Sequence, residues 1–176
     1  LAFQNAGLDP SRPPRTTKEL DDYASKLYKS AGSDYSQIGF YPWHWYMREY
    51  PSLILRPFGG RLTNSDGYPT INSQENIAAL QWMMSYSDKY GVSKVNNSLS
   101  KLVNEDNSLG HNLAMMCAFG AHVTNLVGTD DAKNWAVAPF PSNIAGRTAL
   151  SVDVAGGLAL SNKSTKVKAA VAFMEY

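Results

Sequence analysis

The first third of the chain carries an amphipathic pattern that predicts a helix. Its apolar side chains follow one another at intervals of three or four residues, so they share one face: Leu20, Tyr23, Ala24, Leu27 and Tyr28. Just before them, Thr16 and Glu19 have the spacing of a capping box, in which the two side chains satisfy free backbone N–H groups. The pattern therefore predicts a helix over residues 17–31.

A strand and a second helix are predicted next. Residues 37–41 are short and apolar enough for a buried strand. A helix over residues 43–55 follows, and Pro51 must bend or split it. We expect Gly59-Gly60 to end it.

A polar stretch with a turn at Asp66-Gly67 leads into a third helix, which we expect Asn72 or Ser73 to cap and Gly91 to end. We expect its buried face to be centred on one apolar stripe. Further apolar residues beside the stripe widen this face, so the helix packs on more than one side. The stripe consists of Ile77, Leu80 and Met84, and the widening residues are Ala79, Trp82, Met83 and Tyr86.

The second half of the chain predicts further strands between helices. Residues 113–118 are continuously apolar, which is typical of a strand covered on both faces. Residues 135–140 and 154–160 are two more strand candidates, and a weak helical piece spans 99–103. The last helix is marked by Val167, Ala170, Val171 and Met174. Strands and helices alternate, so the predicted fold class is α/β.

Composition narrows the function classes. The chain has 176 residues, 16 basic and 15 acidic side chains and one cysteine. The chain therefore lacks the excess of basic side chains that nucleic-acid-binding proteins use to contact phosphates. One cysteine excludes an internal disulfide and any site with several thiolate ligands. We find no metal-ligand spacing among the histidines, no glycine-rich nucleotide loop and no catalytic motif, so we expect no metal, no cofactor and no enzyme activity.

An aromatic cluster at residues 40–46 is the strongest candidate for ligand binding. It lies where the predicted strand turns into a helix, and open α/β sheets bind ligands at such places. Indole and phenol rings can cover the apolar face of a sugar ring, while their polar groups and imidazole bond its hydroxyls. The alternative is that half of these rings simply fill the core. The candidate ligand-binding residues here are Tyr41, Trp43, His44 and Trp45.

Three further residues complete the candidate set. Phe119 and His122 follow the apolar run at 113–118, again at a predicted strand end, although such a histidine is more often a surface residue. Asp153 directly precedes the predicted strand at 154–160. Asp153 and Glu49 are also the only two acids placed to attempt glycosidase chemistry. Cys117 lies inside the apolar run, where we expect a structural thiol buried between helical layers.

Several segments resemble, in the same order, motifs of one known family. Residues 6–20 (AGLDPSRPPRTTKEL) look like its "aGl-x-x-PPkTwdEl" helix start, and 59–62 (GGRL) with 71–80 look like "GG-x-l … fnspe-x-x-aL". Residues 110–117 (GHNLAMMC) are similar to "Gk-x-AMmi". Two later matches are 136–141 (AVAPFP) to "vaplP", and 156–160 with 169–174 to "GG-x-x-aI … AawfF". The chain thus resembles the extracytoplasmic solute-binding proteins of bacterial ABC importers, in the sugar-binding family typified by maltose-binding protein.

The resemblance implies two α/β lobes joined by crossing strands, with the ligand held in the cleft between them. Residues 1–150 would be most of the second lobe, and residues 151–176 a strand and helix that return to the first. The family implies a carbohydrate ligand, permease subunits of an importer as partners, and a location outside the cytoplasm, in the periplasm or lipid-anchored at the membrane. In a fragment, we expect the last helix to pair with another copy of the chain or to dock non-natively.

The chain departs from the family at two positions that often face ligand. Where a tryptophan is usual, this chain has Phe119 to His122, and behind Gly156-Gly157 it has Leu158 instead of an aromatic residue. The identity of the ligand therefore stays open. The alternatives are a non-sugar solute, such as a polyol phosphate or a peptide, and, less favoured, a carbohydrate-active enzyme.

Overall fold

The structure, a computed structural model, describes residues 1–43, 51–102, 113–117, 124, 127–147, 160–161 and 163–175. The helices are α1 (Ala2–Asn5), α2 (Thr17–Leu27), α3 (Pro51–Leu55), α4 (Gln74–Tyr90), α5 (Val92–Leu102) and α6 (Val167–Glu175). The strands are β1 (Lys29–Ala31) and β2 (Asp34–Gln37), and single turns of 3₁₀ helix span Arg56–Phe58 and Asp130–Asn134.

Helix α2 begins at the predicted capping box. The Thr16 hydroxyl accepts a hydrogen bond from the Glu19 N–H at 3.1 Å, and the Glu19 carboxylate accepts one from the Arg15 N–H at 2.9 Å. The predicted end at residue 31 is wrong, because the helix stops at Leu27. The chain then forms the antiparallel hairpin β1–β2, whose tight turn requires the positive φ of 60° that Gly32 supplies.

The predicted strand at residues 37–41 is only partly correct. β2 ends at Gln37, and Ile38 forms an isolated parallel bridge with Leu113, in which the Ala114 N–H donates to the Ile38 carbonyl at 2.9 Å. Phe40 and Tyr41 are buried, as a core strand would be, but they are not in a strand. The backbone leaves the sheet direction here to bring these rings onto α4.

Two of the other predicted strands are reduced to isolated bridges in the described residues. In the run at 113–118, only Leu113 makes a bridge, residues 114–117 are half-buried, and residue 118 lies outside the described residues. Residues 135–139 have no regular structure, Phe140 makes only an isolated bridge, and residues 154–159 lie outside the described residues. Helices and strands are mixed, as predicted, but the described part is richer in helix than an alternating pattern suggests.

Glycines end the middle helices as expected. Pro51 is the first described residue of α3, since residues 44–50 lie outside the described part, and Gly59 adopts a φ of 86° after the 3₁₀ turn. The polar stretch that follows is a small loop with Gly67 at a φ of 84°. Ser73, rather than Asn72, caps α4 by accepting from the Asn76 N–H.

The buried face of α4 is only partly the predicted one, because the central stripe of the prediction is exposed. Ile77, Leu80 and Met84 are 37%, 45% and 55% exposed, whereas the residues expected only to widen the face are buried. The inner residues are Ala79, Trp82, Met83, Tyr86 and Tyr90. The aromatic face points inward because Trp82 and Tyr86 both donate hydrogen bonds to Asp21 of α2, at 2.9 and 2.6 Å.

Helix α5 is longer than the predicted piece at 99–103, and it buries Val95 and Ser98. The last helix, α6, forms where predicted. Its apolar residues Val167, Phe173 and Met174 are 48%, 72% and 37% exposed. Within the described part of the chain, none of its residues is buried.

Gly39 is essential to the packing of the segment after β2 on helix α2. A Cβ atom at this position would collide with the backbone carbonyl of Ala24. Since backbone atoms cannot move aside as a flexible side chain does, the segment would have to lift off the helix. Phe40 would then leave the main core cluster, which it shares with Leu20, Ala24 and Trp82.

We expect Gly39→Ala to lower the free energy of unfolding by about 2–4 kcal/mol, as severe overpacking does. Urea denaturation measures this loss. Gly7→Ala is the control, since Gly7 has a positive φ but open space around it and should lose only about 1 kcal/mol. Equal losses in the two variants would contradict the packing argument.

Candidate functional site

A pocket of about 250 Å³ opens between the segment after β2 and the junction of α4 with α5. Tyr41 and Trp43 form one wall. Ser87, in the last turn of α4, and Val92 and Asn96, in the first turns of α5, form the other. The pocket therefore combines two aromatic rings with short polar side chains, a composition suited to a small ligand rich in hydroxyl groups.

Tyr41 carries a buried polar atom that has no hydrogen-bond partner among the described residues. The ring is 3% exposed, and its hydroxyl finds no hydrogen-bond partner among the described residues. A buried polar group without a partner is unfavourable, so such an atom in a pocket wall is a candidate ligand contact. Burial raises the pKa of Tyr41, so the hydroxyl is a neutral donor and acceptor at physiological pH.

Trp43 is held differently, because the protein itself satisfies its polar group. The indole Nε1–H donates to the carbonyl of Met83 in α4 at 3.1 Å, and the ring is half-buried. With the N–H occupied, the indole can offer a ligand the face of its ring but not a hydrogen bond.

The residue before Tyr41 lies in an aromatic part of the main core cluster. Phe40 lies edge-on to Tyr86, with ring centroids 5.8 Å apart, and it also contacts Trp82 and Phe140 at 6.3 Å. Burial and the hydrogen bond to Asp21 raise the pKa of Tyr86 far above its usual value. The Tyr86–Asp21 bond therefore persists across the physiological pH range.

The described pocket lining carries no charge. Its five residues are neutral, and Lys94, which lies between Val92 and Asn96 in sequence, places its ammonium 4.2 Å from the centre of the Tyr35 ring. Lys94 therefore makes a cation–π contact with Tyr35, a residue that does not line the pocket.

The structure brings together two of the seven predicted ligand-binding residues, Tyr41 and Trp43. The other five, His44, Trp45, Phe119, His122 and Asp153, are outside the described residues, as is Glu49. Sequence analysis missed Ser87, Val92 and Asn96. Gly91 is the signal that could have found them. It ends one helix, so the last turn of that helix lies beside the first turn of the next.

Neither a metal site nor a membrane span is found in the described part of the chain. No group of three or more histidine, cysteine, aspartate or glutamate side chains there could hold a metal ion. No helix among those residues is long and apolar enough to cross a membrane.

Comparison with known proteins decides the family. The family model described as bacterial extracellular solute-binding protein matches residues 2–176, nearly the whole chain. The chain belongs to this family. Its resemblance to solute-binding proteins of ABC importers is thereby confirmed, and the members named below are binding proteins rather than enzymes.

Curated relatives and solved structures agree with this assignment. The chain is 29% identical over 166 residues to the sn-glycerol-3-phosphate-binding periplasmic protein UgpB of Escherichia coli (strain K12), and 28% identical to UgpB of Shigella dysenteriae serotype 1. Among solved structures it is similar to CpMnBP1 with mannobiose bound, at a TM-score of 0.69 and 31% identity, and to CpMnBP1 with mannotriose bound, at 0.67 and 29%.

The matches cover most of this chain but a minor part of the relatives. They include 90% of the chain and 36% of UgpB, and 84% of the chain and 38% of CpMnBP1 with mannobiose. The chain thus spans little more than a third of the length of these family members.

Cys117 is half-buried and packs against the main core cluster, although not in the predicted strand. Burial raises the pKa of its thiol to about 12. At pH 8 roughly one thiol in ten thousand would be ionised, against about one in four for a free cysteine, and only the thiolate reacts.

We therefore expect a thiol reagent at pH 8 to label the folded protein at least about a hundredfold more slowly than the protein unfolded in guanidinium. With an aromatic disulfide as the reagent, each labelled cysteine releases an aromatic thiolate, and the absorbance of this product measures both rates. Similar rates in the two states would show that Cys117 is an accessible, reactive thiol.

Proposed function

We propose that this chain is the ligand-binding part of a carbohydrate receptor that delivers a sugar or oligosaccharide to an ABC importer. The observation that supports it most directly is a pocket with an uncharged described lining, formed in part by Trp43 and by Tyr41, whose buried hydroxyl has no partner among the described residues. A flat indole face and neutral hydrogen-bonding groups suit a saccharide. The similarity to CpMnBP1, whose structures hold mannobiose and mannotriose, favours the same class.

A polyol phosphate is the second candidate, and the curated relatives favour it by name, since UgpB binds sn-glycerol 3-phosphate. A phosphate ester requires arginine, lysine or several backbone N–H groups directed at its oxygens. The described pocket lining offers only neutral side chains. We therefore place an uncharged sugar ahead of a phosphate ester.

The same proposal covers the domain arrangement. Residues 1–150 form the second lobe, with a periplasmic-binding-protein fold, and residues 151–176 return to the first lobe. The ligand lies in the cleft between the lobes.

The protein works outside the cytoplasm, free in the periplasm or lipid-anchored. Its partners are the permease subunits, and it performs no chemistry on the ligand. Exposed Val167 and Phe173 on α6 would then pack on the first lobe, or on a second copy when it is absent.

Isothermal titration calorimetry of the full-length protein tests the ligand class. We expect mannobiose or mannotriose to bind with a dissociation constant in the micromolar range or below, and sn-glycerol 3-phosphate to bind at least about tenfold more weakly. Tighter binding of the phosphate ester would establish the second candidate. Chromatography of the recovered sugar checks for turnover, and a hydrolysed oligosaccharide would contradict the receptor role.

We expect Tyr41→Phe to have opposite effects on stability and binding. Removing a buried hydroxyl without a described partner should raise the free energy of unfolding by about 1 kcal/mol, while losing a ligand hydrogen bond should weaken sugar binding about fivefold. Tyr86→Phe is the control, because its hydroxyl is bonded to Asp21 and its loss should lower stability without changing affinity. Stability that falls in Tyr41→Phe would show that its hydroxyl has a partner within the protein.

A further inference from the structure

The two walls of the candidate pocket come from stretches of chain that are distant in sequence. Tyr41 and Trp43 follow β2, whereas Ser87, Val92 and Asn96 lie around the junction of α4 and α5. A pocket that binds a ligand in one geometry needs its walls at a fixed separation. Trp43 makes one connection itself, through its hydrogen bond to the Met83 carbonyl of α4, and a second connection reaches the Tyr41 side from outside the lining.

Tyr28 contacts both stretches, although it lines neither. Its hydroxyl donates to the carbonyl of Phe40 at 2.7 Å, which fixes the peptide that enters Tyr41. Its ring stacks on Tyr90, the last residue of α4, with centroids 3.7 Å apart and planes 12° from parallel. Burial raises the pKa of Tyr28, and the neighbouring tyrosines add to the effect, so the hydroxyl stays protonated and able to donate.

Tyr35 reinforces the same arrangement. It lies edge-on to Tyr28, with centroids 5.0 Å apart, and its hydroxyl donates to the Tyr90 carbonyl at 3.1 Å. Its backbone N–H donates to Ser98 of α5 at 2.8 Å. The end of α4 and the middle of α5 are therefore fixed to the hairpin, and Tyr28 is the link from this unit to the Phe40–Tyr41 peptide.

We propose that Tyr28 is a positioning residue of the pocket, which sets the separation of its two walls without touching the ligand. The inference rests on the proposed function, since it assigns Tyr28 a role in sugar binding. It also makes a claim about the protein alone: the hydroxyl of Tyr28 holds the peptide before Tyr41 in place.

The chain offers a matched control in Tyr23. Its hydroxyl also donates to a backbone carbonyl, that of Arg12 at 3.3 Å, and its ring also has an aromatic neighbour, Phe3 at 5.8 Å. Tyr23 belongs to a separate small cluster with Leu8 and Leu27, and none of these residues lines the pocket. Tyr23→Phe and Tyr28→Phe thus remove the same chemical group at two places.

The experiment compares the two variants with the wild type in the full-length protein, by thermal unfolding, by titration with mannobiose and mannotriose, and by hydrogen exchange of the peptides covering 38–43 and 84–92. Both variants should unfold at a somewhat lower temperature. Tyr28→Phe should raise the dissociation constant about three- to tenfold at 25 °C and speed exchange at 38–43 about fivefold or more. Tyr23→Phe should change neither.

Each outcome decides the proposal. Lower thermal stability in both variants with unchanged affinity would show that Tyr28 is merely structural and would overturn it. Unchanged exchange at 38–43 in Tyr28→Phe would overturn it as well, and this readout needs no ligand. If the wild type binds neither sugar, the proposed ligand class fails, while faster exchange at 38–43 confined to Tyr28→Phe still supports the positioning role.

Discussion

The contact of Gly39 with the backbone of Ala24 sets the depth at which the segment after β2 lies on helix α2. Because no side chain separates the two backbones, Ile38 reaches its parallel partner Leu113 and Phe40 packs on Tyr86 in the core. Tyr41 then follows with its ring buried. The pocket wall is therefore a consequence of backbone packing two residues earlier, and any residue larger than glycine there would displace it.

Asp21 provides the second constraint, because it decides which face of α4 turns inward. The helix is apolar on both sides, so burial of apolar area alone favours neither strongly. The carboxylate of Asp21 accepts from the Trp82 indole and the Tyr86 hydroxyl, and these two bonds satisfy polar groups that would otherwise be buried without partners. The aromatic face is thus the one that can be buried at low cost.

These two constraints explain what sequence analysis could and could not predict. Local signals were reliable: the capping box at Thr16, the start of α4 at Ser73 and its end at Gly91 depend on neighbouring residues only. The inward face of α4 and the missing strand after Leu113 depend on distant partners, which periodicity does not show. Aromatic content identified Tyr41 and Trp43, whereas Ser87 and Asn96 have no distinctive pattern and enter the pocket only through the α4–α5 junction.

The polar group of Trp43 has a partner in the protein, whereas that of Tyr41 has none among the described residues, and this difference bears on how a sugar would be selected. The indole N–H of Trp43 is already bonded to Met83, so this residue is left with its ring face for a ligand, and stacking on a face is less directional than a hydrogen bond. Hydrogen bonds are directional, so discrimination between epimers falls to groups that remain free to bond. In the proposed role, stacking on Trp43 contributes affinity for pyranose rings in general. In the same proposed role, the lining groups suited to that discrimination would be the hydroxyl of Tyr41 and the amide of Asn96.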